Sequence, residues 1–203
     1  MAHAGCYALF ATAIGDCAIA WNDVGLTGVW FPAATREALQ RRVRQRCTDA
    51  LETAPPSDIA AIVAAIGRLL GGEHVGLDAA RLDLAGIDDF DRRVYEATRA
   101  IAAGHVLTYG EVAARVGGGA SAREIGQSLG RNRWPIVVPC HRVIAAGNGL
   151  GGFSAPGGTA TKRRLLAIER ARRADAPDLF DPVPGEDGVA LDLASGREAC
   201  GRH

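Results

Sequence analysis

Two four-residue signatures govern the middle of this chain: Thr108-Tyr109-Gly110-Glu111 and Ser121-Ala122-Arg123-Glu124. Each sets a hydroxyl three residues before a glutamate. The hydroxyl can accept from the glutamate's backbone amide while the carboxylate reaches back to the amide of the capping residue. The first signature predicts a short helix carrying Val112 and Val116, the second one carrying Ile125 and Leu129. Gly117-Gly118-Gly119 turns the chain between them. Two short helices joined by a glycine-rich turn fit a helix-turn-helix, although such pairs also occur as plain packing units.

Charge bears on that choice. Formal net charge is zero over 203 residues, but the zero is a sum of unlike segments. Residues 1–103 hold 10 Arg and 13 acids (−3), residues 104–173 hold 11 Lys+Arg and 3 acids (+8), and residues 174–203 hold 2 Arg and 7 acids (−5). A basic segment coinciding with the helix pair is the footprint expected of a phosphate-binding surface.

Just downstream, Pro135-Ile136-Val137-Val138-Pro139-Cys140-His141-Arg142-Val143 runs an apolar stretch into a proline. The run predicts a short buried strand or extended segment. Pro139 should break it, because proline fixes φ and lacks a backbone donor. Cys140 is then held at the end of a rigid element, as a nucleophile requires. A buried cysteine often serves only as a small hydrophobe. Here a histidine and an arginine follow at once, and both kinds of group promote the thiolate. In an extended segment adjacent side chains diverge, so His141 would reach the thiol through water.

The remaining sequence supplies a frame. Cys6–Ala11, Cys17–Trp21 and Leu26–Phe31 read as strands punctuated by Gly15-Asp16 and Asn22-Asp23. Thr35 predicts the cap of a helix bearing Leu39 and Val43. Ser57 predicts the cap of one bearing Ile59, Ile62, Val63, Ile66 and Leu70, and Arg81–Leu84 reads as a further strand. Phe90, Val94, Ala97 and Ile101 recur at helical spacing to about Ala103. The N-terminus lacks a signal-peptide pattern and no apolar run is of membrane-spanning length. The five cysteines are scattered, which predicts free thiols in a reducing compartment. His3, Cys6, Cys17 and His74 match no compact metal-ligand spacing, so no metal is expected.

Further positions attract notice. Arg123 lies in the first turn of the second helix, where a cation opposes the macrodipole and calls for an outside partner or plain solvation. Asn132 can bridge backbone groups between the helix pair and the cysteine segment, or simply occupy a turn. The glycine-rich loop Gly147–Gly158 can lie flat against a ligand. Thr161 predicts the cap of a last helix with Leu165, Leu166, Ile168 and Glu169. Glu169 is either an orienter for His141 or an exposed glutamate. Residues 174–203 read as a disordered acidic tail.

With these residues in view, Pro139-Cys140-His141-Arg142-Val143 resembles the alkyl-acceptor signature of the O6-alkylguanine-DNA alkyltransferases, the methylated-DNA–protein-cysteine methyltransferases. The similarity covers about Phe90–Glu169. Tyr109, Arg123, Asn132 and Glu169 stand, in order, where that family has its tyrosine, its intercalating arginine, its asparagine hinge and its histidine-holding glutamate. Phe153 stands where some members carry tyrosine.

The resemblance implies a ribonuclease-H-like α/β domain over residues 1–85, a mostly α domain with a helix-turn-helix over 86–173, and a tail over 174–203. It implies irreversible transfer of an alkyl group from O6 of guanine, or from O4 of thymine as a second donor, to Cys140. Cys140, His141, Glu169, Asn132 and Tyr109 would be catalytic. Tyr109, Gly110, Gly118, Ala122, Arg123 and Gly126 would meet DNA, and Pro135, Val143, Phe153 and Ser154 would line the pocket. The implied partner is double-stranded DNA containing O6-alkylguanine, met by a cytoplasmic monomer without cofactor. A cysteine hydrolase would share Cys140, His141 and Glu169 but would turn over. A lesion sensor would bind and not transfer.

Overall fold

Cys6–Phe10 (β1), Cys17–Trp21 (β2) and Leu26–Trp30 (β3) form an antiparallel meander in the computed structural model, which describes residues 5–147 and 149–172. The expected acidic tail, with Cys200, lies outside the described residues. Alternation along β2 explains the layering. Ala18 and Ala20 face one side, where Tyr7, Trp30 and the helix α1 (Arg36–Arg46) cover them with Leu39 and Val43. Cys17, Ile19 and Trp21 face the other side and join the main core. Thr35 caps α1 as expected, accepting from the Ala38 amide at 3.2 Å.

One strand was not foreseen and two expectations fail here, for identifiable reasons. Leu51–Glu52 (β4) pairs parallel to β1 and completes the order β3-β2-β1-β4, yet both residues are exposed and two residues carry no periodicity. Arg81–Leu84 is no strand. A single bridge joins Leu82 to Leu26, so backbone pairing stops after one register position. Ser57 is not a cap. Pro56, with extended ψ, takes that place before α2 (Ser57–Leu70), and Ser57 has already entered the helix.

The helical C-terminal part begins with α3 (Asp89–Arg99), capped by Asp88. It ends before the predicted Ala103, although Ile101 remains buried as the chain turns. A short strand β5 (Leu107–Thr108) leads into α4 (Tyr109–Val116), and α5 (Ala122–Gly130) follows. Both capping boxes form reciprocally. Gly117, Gly118 and Gly119 all take positive φ (72°, 65° and 75°), a run that side chains would strain. Arg131, at the end of α5, grips buried Asp91 of α3 through two bonds of 3.0 and 2.7 Å.

The stretch expected to be a strand is a turn. Val138 N donates to Trp134 O at 2.7 Å and Ile136 takes φ 78°, rare for a β-branched residue. Pro139 (φ −80°, ψ 65°) forms an inverse γ-turn closed by Cys140 N to Val138 O at 2.8 Å. The run is apolar because the turn is packed against the sheet. Trp134 Nε1 donates to Leu26 O at 2.7 Å, and Val29 N to Arg133 O at 2.9 Å. Cys140–Arg142 then makes one 3₁₀ turn, β6 (Val143–Ile144) pairs parallel with β5, and α6 (Gly158–Ile168) closes the fold. Gly157, in the left-handed region, precedes α6. Thr161 is inside the helix and donates to Pro156 O, so it is not the cap. Among the described residues no helix is long and apolar enough to cross a membrane.

Candidate functional site

The γ-turn at Pro139 and the 3₁₀ turn after it decide where three adjacent side chains go. Cys140 is partly exposed, while His141 and Arg142 turn inward and are buried. Glu169, at the C-terminal end of α6, meets both. Its Oε1 accepts from His141 Nε2 at 2.9 Å and from Arg142 Nη2 at 2.9 Å, and its Oε2 accepts from Arg142 Nε at 2.8 Å. Arg142 Nη1 also donates to Ile101 O at 2.6 Å. Glu169 is therefore not an exposed glutamate, and Arg142 is not spent on the thiol: its charge compensates the carboxylate.

The electrostatics fix the protonation pattern. Burial alone would raise the Glu169 carboxyl, but the bonds and charges of His141 and Arg142 outweigh it and hold the group at about 2. Burial lowers His141, against the raising effect of Glu169. The imidazole is thus neutral, with its proton assigned to Nε2 by the carboxylate that accepts it. Nδ1 is left as a lone-pair nitrogen, buried and without a hydrogen-bond partner among the described residues. Such a triad can hold a base in one tautomer and draw a proton from the thiol side.

Burial raises the Cys140 thiol, while Asn132, Lys162 and the backbone amides of Cys140 and His141 act to lower it. Asn132 bridges as the sequence suggested. Its Nδ2 donates to Val138 O at 2.9 Å, and its Oδ1 accepts from Trp134 N at 2.9 Å. Lys162 was not anticipated. It is fully buried on α6, donates to Val143 O at 2.6 Å, and sits 5.6 Å from the Tyr109 ring centroid. Desolvation lowers its ammonium to about 8, against the attraction of Cys140. One signal for it existed: Lys162, Leu165, Leu166 and Glu169 share one helical stripe. Replacing Lys162 with Met should slow thiol alkylation at neutral pH by roughly three- to tenfold and move its pH midpoint upward, because a cation beside the thiolate is lost. Iodoacetamide labelling across pH reads this directly.

Cys140 opens into a hollow of about 470 Å³ lined by Tyr109, Ala122, Gly126, Gly152, Phe153 and Ser154. Burial raises the Tyr109 hydroxyl, and the thiol adds to the shift. Gly151 presses on the tyrosine: a Cβ there would lie 2.9 Å from the ring. The helix pair thus forms one wall and the glycine-rich loop the other.

Other expected positions divide. Arg123 is exposed on the first turn of α5, and Gly110 and Gly118 are exposed too. Pro135 lines a second, smaller hollow that also reaches Cys140. Val143 does not line the pocket. Its side chain is fully buried in the core, and its carbonyl is taken by Lys162. Among the described residues no three His, Cys, Asp or Glu come together as a metal site.

A family model described as the DNA-binding domain of 6-O-methylguanine DNA methyltransferase matches residues 89–171. A methylated-DNA–protein-cysteine methyltransferase of Methanothermobacter thermautotrophicus is 36% identical over 154 residues, 76% of this chain and 79% of the relative. One from Mycolicibacterium paratuberculosis is 40% identical over 129 residues, 64% of this chain and 76% of the relative. The crystal structure of Mycobacterium tuberculosis O6-methylguanine methyltransferase aligns with TM-score 0.65 at 31% identity, covering 82% of this chain and 93% of that one. A structure of OGT from the same organism in complex with DNA aligns with TM-score 0.62 at 32% identity, covering 81% and 92%.

Proposed function

Because this chain belongs to the methylated-DNA–protein-cysteine methyltransferase family, we propose that it repairs O6-alkylguanine in duplex DNA by moving the alkyl group onto Cys140. One observation carries the assignment of Cys140: it is partly exposed in a hollow beside a helix pair, with a histidine–glutamate pair behind it.

The lesion carbon is out of reach in a stacked duplex, so the base must swing out, at a cost of a few kcal/mol. On this reading α4 and α5 act as a helix-turn-helix, with Ala122 and Gly126 letting the backbone approach the minor groove. Gly110 and Gly118 flank that surface. Arg123 enters the gap left by the base. In the hollow, His141 Nδ1 takes the proton of Cys140 through a water, and Glu169 holds the imidazole in that tautomer. Asn132 and Lys162 stabilise the thiolate. The sulfur attacks the alkyl carbon in line; the S–C bond forms as the C–O6 bond breaks. The electron pair leaves on guanine O6, and Tyr109 donates a hydrogen bond to the departing base. The thioether cannot be cleaved by any group at the site, so each chain acts once.

Finer structural readings go with this proposal. The order β3-β2-β1-β4 with α1 between β3 and β4 fits a ribonuclease-H-like domain over residues 1–85, followed by the alkyl-acceptor domain over 86–173. The chain works as a monomer in the cytoplasm, in keeping with four unpaired cysteines among the described residues.

The test is a duplex carrying labelled O6-methylguanine. One label per chain on the peptide holding Cys140, with no further turnover, is the expected result. Sustained turnover would point to a hydrolase, and tight binding without transfer to a sensor. Arg123→Ala should slow repair of the duplex by roughly ten- to a hundredfold while leaving reaction with free O6-benzylguanine within about twofold, since only the duplex needs the gap filled. Equal losses on both substrates would remove Arg123 from base extrusion.

A further inference from the structure

Cys140 stands where two hollows meet. The larger one faces the helix pair and takes the base in the reading above. The smaller, about 220 Å³, passes behind Phe153 and Ser154 toward the N-terminal sheet. Its floor is apolar, with Val29, Phe31, Leu129 and Pro135 among its walls. Its other feature is three arginines: Arg42 and Arg46, one turn apart on α1, and Arg133 beyond α5. Among the described residues no Asp or Glu lines it.

Several described arginines are held in ion pairs. Arg36 meets Asp16 and Glu52, Arg68 meets Glu73, Arg131 meets Asp91, and Arg142 meets Glu169. The guanidiniums of Arg42, Arg46 and Arg133 have no hydrogen-bond or ion-pair partner among the described residues. Three cations around one small hollow repel one another, although Arg46 and Arg133 also border a neighbouring hollow that Asp49 and Asp83 line. An anion placed among them would be held by donors that suit a carboxylate in bidentate fashion.

We propose that this second hollow is a subsite for the transferred group, and that Arg42, Arg46 and Arg133 favour O6-alkylguanines whose alkyl chain ends in a carboxylate. The proposal rests on the alkyl-transfer reading of Cys140. In an in-line displacement sulfur, carbon and O6 are collinear, so whatever else the carbon bears points sideways. A methyl group has only hydrogens to place there. A longer chain needs room beside the thiol, and the second hollow supplies it. The apolar floor receives the methylenes and the arginines receive the acid. The chemistry is unchanged: S–C forms, C–O6 breaks, guanine leaves with the electron pair and gains a proton, and the carboxylate ends on a carboxyalkyl thioether at Cys140.

DNA phosphates are the other anions these arginines could meet, and the experiment separates the two sources. Duplexes carry O6-methylguanine, a series of O6-(carboxyalkyl)guanines of increasing length, or the matched neutral amides. Single-turnover transfer is followed with the full chain and with the triple variant Arg42→Gln, Arg46→Gln, Arg133→Gln. The acid should outpace its amide by roughly tenfold at the length that reaches the arginines. That advantage should shrink in salt and vanish in the triple variant, with methyl transfer unchanged. An acid no faster than its amide at every length would overturn the proposal. So would an advantage that survives the triple substitution. A variant slowed equally on all substrates would assign the arginines to DNA phosphates and overturn it too. Absence of methyl transfer by the unaltered protein would instead bring down the alkyl-transfer reading itself.

Discussion

Glu169→Ala should lower the unfolding free energy by about 3–5 kcal/mol and leave transfer below roughly one per cent of its original rate. The stability loss has a specific source. Arg142 is buried, and its guanidinium spends two bonds on the Glu169 carboxylate. Without that carboxylate the positive charge keeps only the Ile101 carbonyl, and an uncompensated buried charge is far more costly than a lost surface pair. Denaturant unfolding measures this part. The rate loss comes from His141, whose imidazole would have nothing to fix its tautomer.

Glu169→Gln separates the two effects. A side-chain amide still offers an oxygen to Arg142, so more of the stability should remain. Its NH₂ can donate to His141 Nε2, however, which would move the ring proton to Nδ1 and abolish the acceptor that takes the thiol proton on the proposed path. A stable but inactive Gln variant is therefore expected. The pH dependence follows from the same group. Its carboxyl is depressed from the ordinary 4.5 to about 2, so its stabilising effect is complete above the unfolded value and fades as pH falls toward 2. The unaltered protein and Glu169→Ala should converge in stability at the acid end of that window. Parallel curves down to pH 2 would show that Glu169 is not the anion that holds Arg142.

What the sequence made legible was local. Both capping boxes lie within four residues, so Thr108 and Ser121 could be read without knowing the fold, and both form. Alternation in Cys17–Trp21 likewise reports its own environment, since each side chain faces one layer. Misreadings fall where burial and conformation part company. Ile136, Val137 and Val138 are as apolar as any strand, but a proline at each end and a positive φ at Ile136 fold them into a turn. Glu169 and Lys162 were ambiguous or overlooked for one reason: what makes a buried charge tolerable is a partner brought from elsewhere in the fold. Arg142 for the one, and the carbonyl of Val143 for the other, are tertiary facts. The second hollow is less visible still, because its arginines come from α1 and from the segment after α5, which lie far apart in the sequence.

Cys140→Ala should abolish transfer completely while leaving binding to a lesion-bearing duplex within about threefold. The residue is small and partly exposed, so the truncation should cost roughly 1 kcal/mol of stability or less, and the variant should fold. Binding on the proposed reading depends on the helix pair and the base hollow, which the substitution leaves in place. Cys140→Ser should be nearly as inactive, on the order of a thousandfold slower or worse, because a hydroxyl at this position is far harder to ionise than a thiol. The unaltered protein then supplies a pH profile that tests the proton path. Burial holds the thiol above its ordinary value, so the rate should climb with pH through neutrality. Burial also holds His141 below the usual histidine range, so the loss caused by protonating the base should come only at more acid pH. Lys162 sheds its proton near 8, which removes a cation from beside the thiolate and should blunt the rise above that point. Lys162→Met should erase the blunting along with the help, leaving a slower but simpler climb. A rate that peaks and falls between pH 6 and 7 would contradict a neutral His141 and a buried thiol together, and with them the path from sulfur to imidazole.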